Sequence, residues 1–339
     1  MKLIRTRALL ATLSIGLSCL PAYAQNAAAK VTDTTVQLPS GKVFYRDSGG
    51  KGIPVIFFHA GSGNSMLWEY QIPAFTAAGY RFIAIDYRGV SSGTTTGPGG
   101  SNTNNLVNDL VAKLGLGKFH LVGTAAGGGQ ALQYALANRE KLRSITVANS
   151  IGNVQDKEYT EMGNRIRPKE FNQLPLDMRE LGPSYRAANP EGVKRWLALG
   201  NEGQPGAAGP GAATTAAAAG GGMGAGGGMG AGGAEGAAAN GPGGPGSPPA
   251  PGGGAGGPGG GAQANNPYAV TWANLEAFKV PTLLMTGDAD LYTPPSVLRM
   301  FVARMKQAEY HIVPETGHSS FWENPDDFNR TVLAFIAKN

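Results

Sequence analysis

Six short, mostly apolar runs recur along this chain, and each stops abruptly in a turn of glycine or polar residues. They are Pro54–Phe58 (PVIFF), Arg81–Ile85 (RFIAI), Phe119–Val122 (FHLV), Ser144–Ala148 (SITVA), Thr282–Thr286 (TLLMT) and Glu309–Val313 (EYHIV). A run of four to six apolar residues is too short for a core helix and reads as a strand buried on both faces. Helical periodicity follows several of them, as in Ala131, Leu132, Tyr134 and Ala135, and in Phe328, Val332 and Phe335 near the C-terminus. Strand–helix alternation of this kind predicts an α/β chain with a mostly parallel, doubly wound sheet and helices on both faces. Ahead of the series, Val36–Leu38 and Val43–Tyr45 flank Pro39-Ser40-Gly41-Lys42, which predicts a hairpin.

The alternation breaks between Ile151 and Trp272. Polar helical stretches there suggest a cap, about 151–272, inserted after one strand. Tyr159, Met162, Phe171, Leu174, Met178, Tyr185 and Trp196 are its candidate apolar lining. Within it, about 203–265 is Gly, Ala and Pro with one charge, Glu235, and no aromatic residue; about half of the chain's 53 glycines lie there. Such a segment has too little apolar surface to offset the entropy of ordering, so a disordered insertion is expected. A loop of roughly 60 residues in place of roughly 8 costs only about 2 kcal/mol, so a surface connection tolerates it.

The N-terminus has its own logic. Lys2, Arg5 and Arg7 precede the apolar stretch Ala8–Leu20, and Ala22-Tyr23-Ala24 supplies small residues before Gln25. This is the pattern of a signal peptide over 1–24, leaving a mature chain over 25–339 that is secreted or periplasmic and has no membrane span. The single cysteine, Cys19, falls in that segment, so the mature chain has no thiol and no disulfide. Three charges behind the formal +5 fall there as well. The near-neutral remainder gives no electrostatic basis for nucleic acid or an acidic membrane as partner.

In an open parallel sheet, sites form beyond the carboxyl ends of the strands. Those ends read His59-Ala60-Gly61-Ser62-Gly63-Asn64, Asp86-Tyr87-Arg88-Gly89, Gly123-Thr124-Ala125-Ala126-Gly127-Gly128, Gly287-Asp288-Ala289-Asp290 and Pro314-Glu315-Thr316-Gly317-His318. With five such motifs in this order, the chain resembles the α/β-hydrolase superfamily of the capped type, over essentially all of 35–339 outside the glycine-rich block. The resemblance implies that His318 is the catalytic histidine and Asp290 its acid partner. It implies that Gly61 and Ala126 supply the backbone donors of an oxyanion hole.

The departure is at the centre, because Ala125 stands where the family's nucleophile elbow carries its nucleophile. A methyl group forms no acyl-enzyme. Thr124 in a shifted register, or Ser62, Ser65 or Ser150 at other strand ends, are alternative hydroxyls, and an engineered Ser→Ala change would leave the same sequence. The expectation is hydrolysis or a lyase step on a small ester, lactone or dicarbonyl compound, with His318 activating a water or a substrate proton. The alternative is a pseudo-hydrolase that binds a small ligand or partner without turnover. His59, Asp86 and Arg88 are expected to be structural, as are His120 and His311 within strands. No ligand spacing suggests a metal, and no fingerprint suggests a nucleotide, so no cofactor is expected.

Overall fold

The computed structural model describes residues 30–86, 103–150, 152, 154–201 and 268–339. The expected signal peptide over 1–24, the expected disordered insertion over 203–265 and Arg88 lie outside the described residues.

The hairpin β1 (Thr32–Leu38) and β2 (Gly41–Asp47) opens an eight-stranded sheet. It continues with β3 (Pro54–Phe58), β4 (Arg81–Ile85), β5 (Phe119–Thr124), β6 (Leu142–Ala148), β7 (Thr282–Gly287) and β8 (Glu309–Val313). The order across the sheet is β1-β2-β4-β3-β5-β6-β7-β8. Only the β1–β2 and β2–β4 pairs are antiparallel; the rest run parallel. Each expected strand is present, and five of them run past their expected ends: β1 back to Thr32, β2 back to Gly41 and on to Asp47, β5 to Thr124, β6 back to Leu142 and β7 to Gly287. Every residue of β5 and β7 is buried, which is why those stretches read as continuous apolar runs without a two-residue alternation.

Successive side chains of a strand face opposite sides, and β3 divides its run accordingly. Ile56 and Phe58 enter one apolar cluster, Val55 and Phe57 the other. The first cluster is roofed by α2 (Thr103–Lys113), α3 (Ala126–Ala137), α8 (Trp272–Glu276) and α9 (Pro295–Arg304). The second is covered by α1 (Gln71–Ala77), α10 (Ser320–Glu323) and α11 (Pro325–Ile336), with Phe57 stacked on Phe82 at 4.6 Å and packed against Phe75 and Trp68.

Between β6 and β7 the described chain forms α4 (Lys157–Arg165), α5 (Leu176–Glu180), α6 (Pro183–Ala188) and α7 (Pro190–Asn201). The candidate lining residues of this interval take different places. Trp196 is buried in the second sheet cluster, Tyr159 packs edge-on against Trp272 and Phe301, and Phe171 packs edge-on against Tyr292. Met178 is 41 % exposed and faces solvent, the opposite of a lining residue.

Candidate active site

The neighbouring strands β3 and β5 end side by side, with Phe58 paired to Gly123, so the turns that follow them share one edge of the sheet. The turn after β5 is one residue long. Ala125 occupies it with φ +52° and ψ −120°, a conformation L-residues rarely adopt, and α3 begins at Ala126. Its N–H donates to the Ala148 carbonyl at 2.9 Å and its carbonyl accepts from Gly128 at 3.0 Å, so the turn is bonded from both sides.

Glycines at 123 and 127 make this possible. A Cβ on Gly123 would lie 2.4 Å from the Gly127 carbonyl oxygen, and one on Gly127 would lie 2.4 and 2.5 Å from the Phe58 and His59 carbonyls. The register is therefore fixed by backbone contact, with Ala125 at the tip. Thr124 is the last residue of β5 and fully buried, with its hydroxyl unpartnered inside the sheet layer.

Two further strand ends bring in the titratable pair. His318 follows β8 and Asp290 follows β7. The imidazole Nδ1 lies 3.0 and 2.9 Å from the two Asp290 carboxylate oxygens, with both side chains buried. Asp290 also accepts from Asn149 Nδ2 at 3.1 Å, from Thr286 Oγ1 at 3.2 Å, and from the Tyr292 and Thr293 amides at 2.8 and 2.9 Å. Burial alone would raise the Asp290 carboxyl; the charge and hydrogen bond of His318, with these other donors, hold it below its ordinary range. Burial alone would favour neutral His318; the Asp290 charge and hydrogen bond outweigh that and raise its pKa. With Nδ1–H donating to Asp290, Nε2 is left as the basic nitrogen.

The surroundings add residues that the sequence reading did not single out. Asn149 holds φ +48° directly after β6 and binds both Asp290 and the Gly317 carbonyl, while accepting from the Ser320 hydroxyl. An asparagine immediately after a buried strand was the available signal, since Asn tolerates positive φ. Tyr292 lays its ring 4.3 Å from that of His318, and Arg167 stands 5.4 Å from the Tyr292 ring centre. Glu323 accepts the amides of Gly317 and Ser319, on either side of His318, and of Gly182 at 2.6 Å, which ties the loop between α5 and α6 to the histidine loop. Glu180, at the end of α5, is buried beside His318.

The remaining sequence candidates separate cleanly. Gly61 lies in the turn after β3, beside the elbow, and Ala126 contributes a first-turn amide of α3, where no preceding helical carbonyl exists to receive it. Asp86 accepts the Ser65 amide at 2.7 Å and lies 3.9 Å from His59 Nε2, so it shapes the turn that contains Gly61. Ser65 is fully buried, and the Ser150 hydroxyl accepts the Gly152 amide. His120 is buried against the Ser144 hydroxyl at 2.8 Å, and burial pushes its pKa down to about 4. His311 lies 2.6 Å from the Asp327 carboxylate. Among the described residues no group of three or more His, Cys, Asp or Glu could hold a metal ion, and no helix is long and apolar enough to cross a membrane.

Residues 53–185 match the family model described as alpha/beta hydrolase fold. A 2-hydroxy-6-oxononadienedioate/2-hydroxy-6-oxononatrienedioate hydrolase of Burkholderia vietnamiensis is 22% identical, over 93% of this chain and 98% of its own length. A 2-hydroxy-6-oxo-6-phenylhexa-2,4-dienoate hydrolase of Burkholderia cepacia is 26% identical, over 85% of this chain and 89% of its own. Among solved structures, the enol-lactonase of Burkholderia xenovorans LB400 superposes with a TM-score of 0.57 at 16% identity, covering 90% of this chain and 100% of that one. A thermophilic esterase of Thermogutta terrifontis gives 0.58 at 18% identity, covering 91% and 99%. At these identities the structural likeness establishes the fold.

Proposed function

We propose that this chain, a member of the α/β-hydrolase superfamily, hydrolyses a small ester, lactone or dicarbonyl compound by acid–base chemistry, with no covalent intermediate at residue 125. The observation that carries this reading is the buried His318–Asp290 pair, held by four further donors, on the same edge of the parallel sheet as an elbow whose tip residue has no nucleophilic atom. A carboxylate bonded this heavily fixes the imidazole tautomer and stabilises its charged form, which is what a general base requires. Relatives named as hydrolases of hydroxy-oxo-dienoates support a carbonyl substrate.

The chemistry follows from the parts. His318 Nε2 takes a proton from water, and the resulting hydroxide attacks the carbonyl carbon. The backbone N–H groups of Gly61 and Ala126 stabilise the oxyanion. On a dicarbonyl substrate the same base and donors form and stabilise an enolate. The basic and apolar N-terminus supports export to the periplasm or medium, which cell fractionation checks.

The test compares the purified protein with His318→Ala on activated esters, lactones and 1,3-dicarbonyl compounds. Loss of the base should lower the rate by about 10² or more. Equal, near-background rates for both proteins would instead favour the reading that Ala125 itself suggests, a protein that binds a ligand without turning it over.

A further inference from the structure

Glu180 is 5 % exposed, yet its Oε2 makes no hydrogen bond. A carboxyl so far from water is normally satisfied by amides, hydroxyls or a cation. Those within electrostatic reach of this one belong mostly to the site: His318, Asp290 and the Ser62 hydroxyl, with Arg179 on its own helix. Ser62 directly follows Gly61, and its Oγ is likewise buried without a well-formed bond. Burial pushes the Glu180 carboxyl up; His318, Ser62 and Arg179 oppose that in part, and Asp290 adds to it. His318 thus shares its surroundings with two carboxyl groups of opposite habit. Asp290 has five donors and stays ionised, whereas Glu180 holds its proton above the ordinary carboxyl range. Two carboxyls pushed apart by their surroundings are the signature of divided acid–base roles.

We propose that Glu180 is the general acid of this site, protonating the departing group while His318 deprotonates the attacking water. The inference rests on the hydrolytic reading above and deepens it. In the first step a water O–H bond breaks, its proton goes to His318 Nε2, and the oxygen bonds to the carbonyl carbon. When the tetrahedral species collapses, the bond from that carbon to the leaving oxygen breaks. The Glu180 proton passes to that oxygen, giving an alcohol or enol and a carboxylic acid. The cycle closes when the proton on His318 returns to the Glu180 carboxylate.

The test uses the purified protein with a p-nitrophenyl ester and the matching alkyl ester. The first leaves readily as an anion; the second needs a proton. Glu180→Gln should slow the alkyl ester by about 10² and the p-nitrophenyl ester by about threefold or less, and the latter activity also reports that the variant is folded. The wild-type rate should fall on both sides of its pH optimum, as His318 gains a proton and as Glu180 loses one. The groups facing Glu180 in that titration are His318, Asp290, Tyr292, Arg179 and Ser62. Glu180→Gln should lose the alkaline fall, and Glu180→Asp should recover part of the alkyl-ester rate. If His318→Ala abolishes turnover but Glu180→Gln slows both esters alike, or neither, the assignment of Glu180 is overturned and the hydrolytic reading stands. If the wild type is inert toward every compound, both fall together.

Discussion

Replacing Ala125 by serine should turn the site into one that forms an acyl-enzyme. The backbone at 125 already holds φ +52° and ψ −120°, anchored at 2.9 Å to Ala148, so a serine there adds one oxygen without moving the turn. Serine and alanine share the same Cβ, so the strain of positive φ is unchanged. The His318–Asp290 pair that would activate the hydroxyl is in place at 2.9–3.0 Å. In serine hydrolases, loss of the nucleophile costs up to about 10⁶ in kcat, and about 10³–10⁴ over water persists from donors and binding. A serine placed in this frame should recover only part of that span, about 10²–10⁴ on a p-nitrophenyl ester, or about 3–5 kcal/mol of barrier. The assay is stopped-flow release of p-nitrophenol together with intact-protein mass spectrometry. A pre-steady-state burst and a mass increase equal to the acyl group are expected for Ala125→Ser and not for the native protein. A folded Ala125→Ser protein with neither burst nor adduct would show that His318 Nε2 is not directed at position 125, and the site would have to be redrawn.

Three further outcomes follow from the same geometry. His318 acts as a base only when neutral, and its pKa lies above the ordinary 6.5, so the acid limb of the rate–pH profile should have its midpoint above 6.5; a midpoint below that value contradicts the pairing with Asp290. Burial pushes Glu323 up to about 7 despite the amides of Gly317, Gly182 and Ser319, so its contribution to folding is fully present below the unfolded value of about 4.5 and is lost as pH rises through about 7. In urea denaturation the native protein should therefore lose about 2–3 kcal/mol relative to Glu323→Gln between pH 5 and pH 8, whereas the opposite slope would mean that the three amides outweigh burial. Gly127→Ala forces a methyl against the Phe58 and His59 carbonyls and should lower stability by about 1–3 kcal/mol, read as a reduced urea midpoint at constant slope; an unchanged midpoint would mean that α3 can shift away from the sheet at little cost.

The sheet was legible in the sequence because strands buried on both faces must be apolar throughout, and that property is local. PVIFF, RFIAI and TLLMT declare themselves without reference to anything distant, and Phe328, Val332 and Phe335 mark α11 by spacing alone. The elbow was legible for a related reason: a one-residue turn between strand and helix needs glycines at fixed offsets, and Gly123 and Gly127 sit within one short segment. The hydroxyl alternatives to Ala125 are visible in the sequence, but only burial separates them, placing Thr124 inside the sheet. Tertiary structure alone selected Glu180 and Glu323, which nothing local distinguishes from the solvated polar residues around them. Glu180 sits in Leu-Asp-Met-Arg-Glu, where Met178 turns out exposed and the glutamate buried. A carboxyl's chemistry depends on how much water it keeps and which charges share its surroundings, and the partners of Glu180, at 62, 290 and 318, lie more than a hundred residues away along the chain. Sequence determines which residues are able to react; folding decides which of them lose water together, and so which ones do.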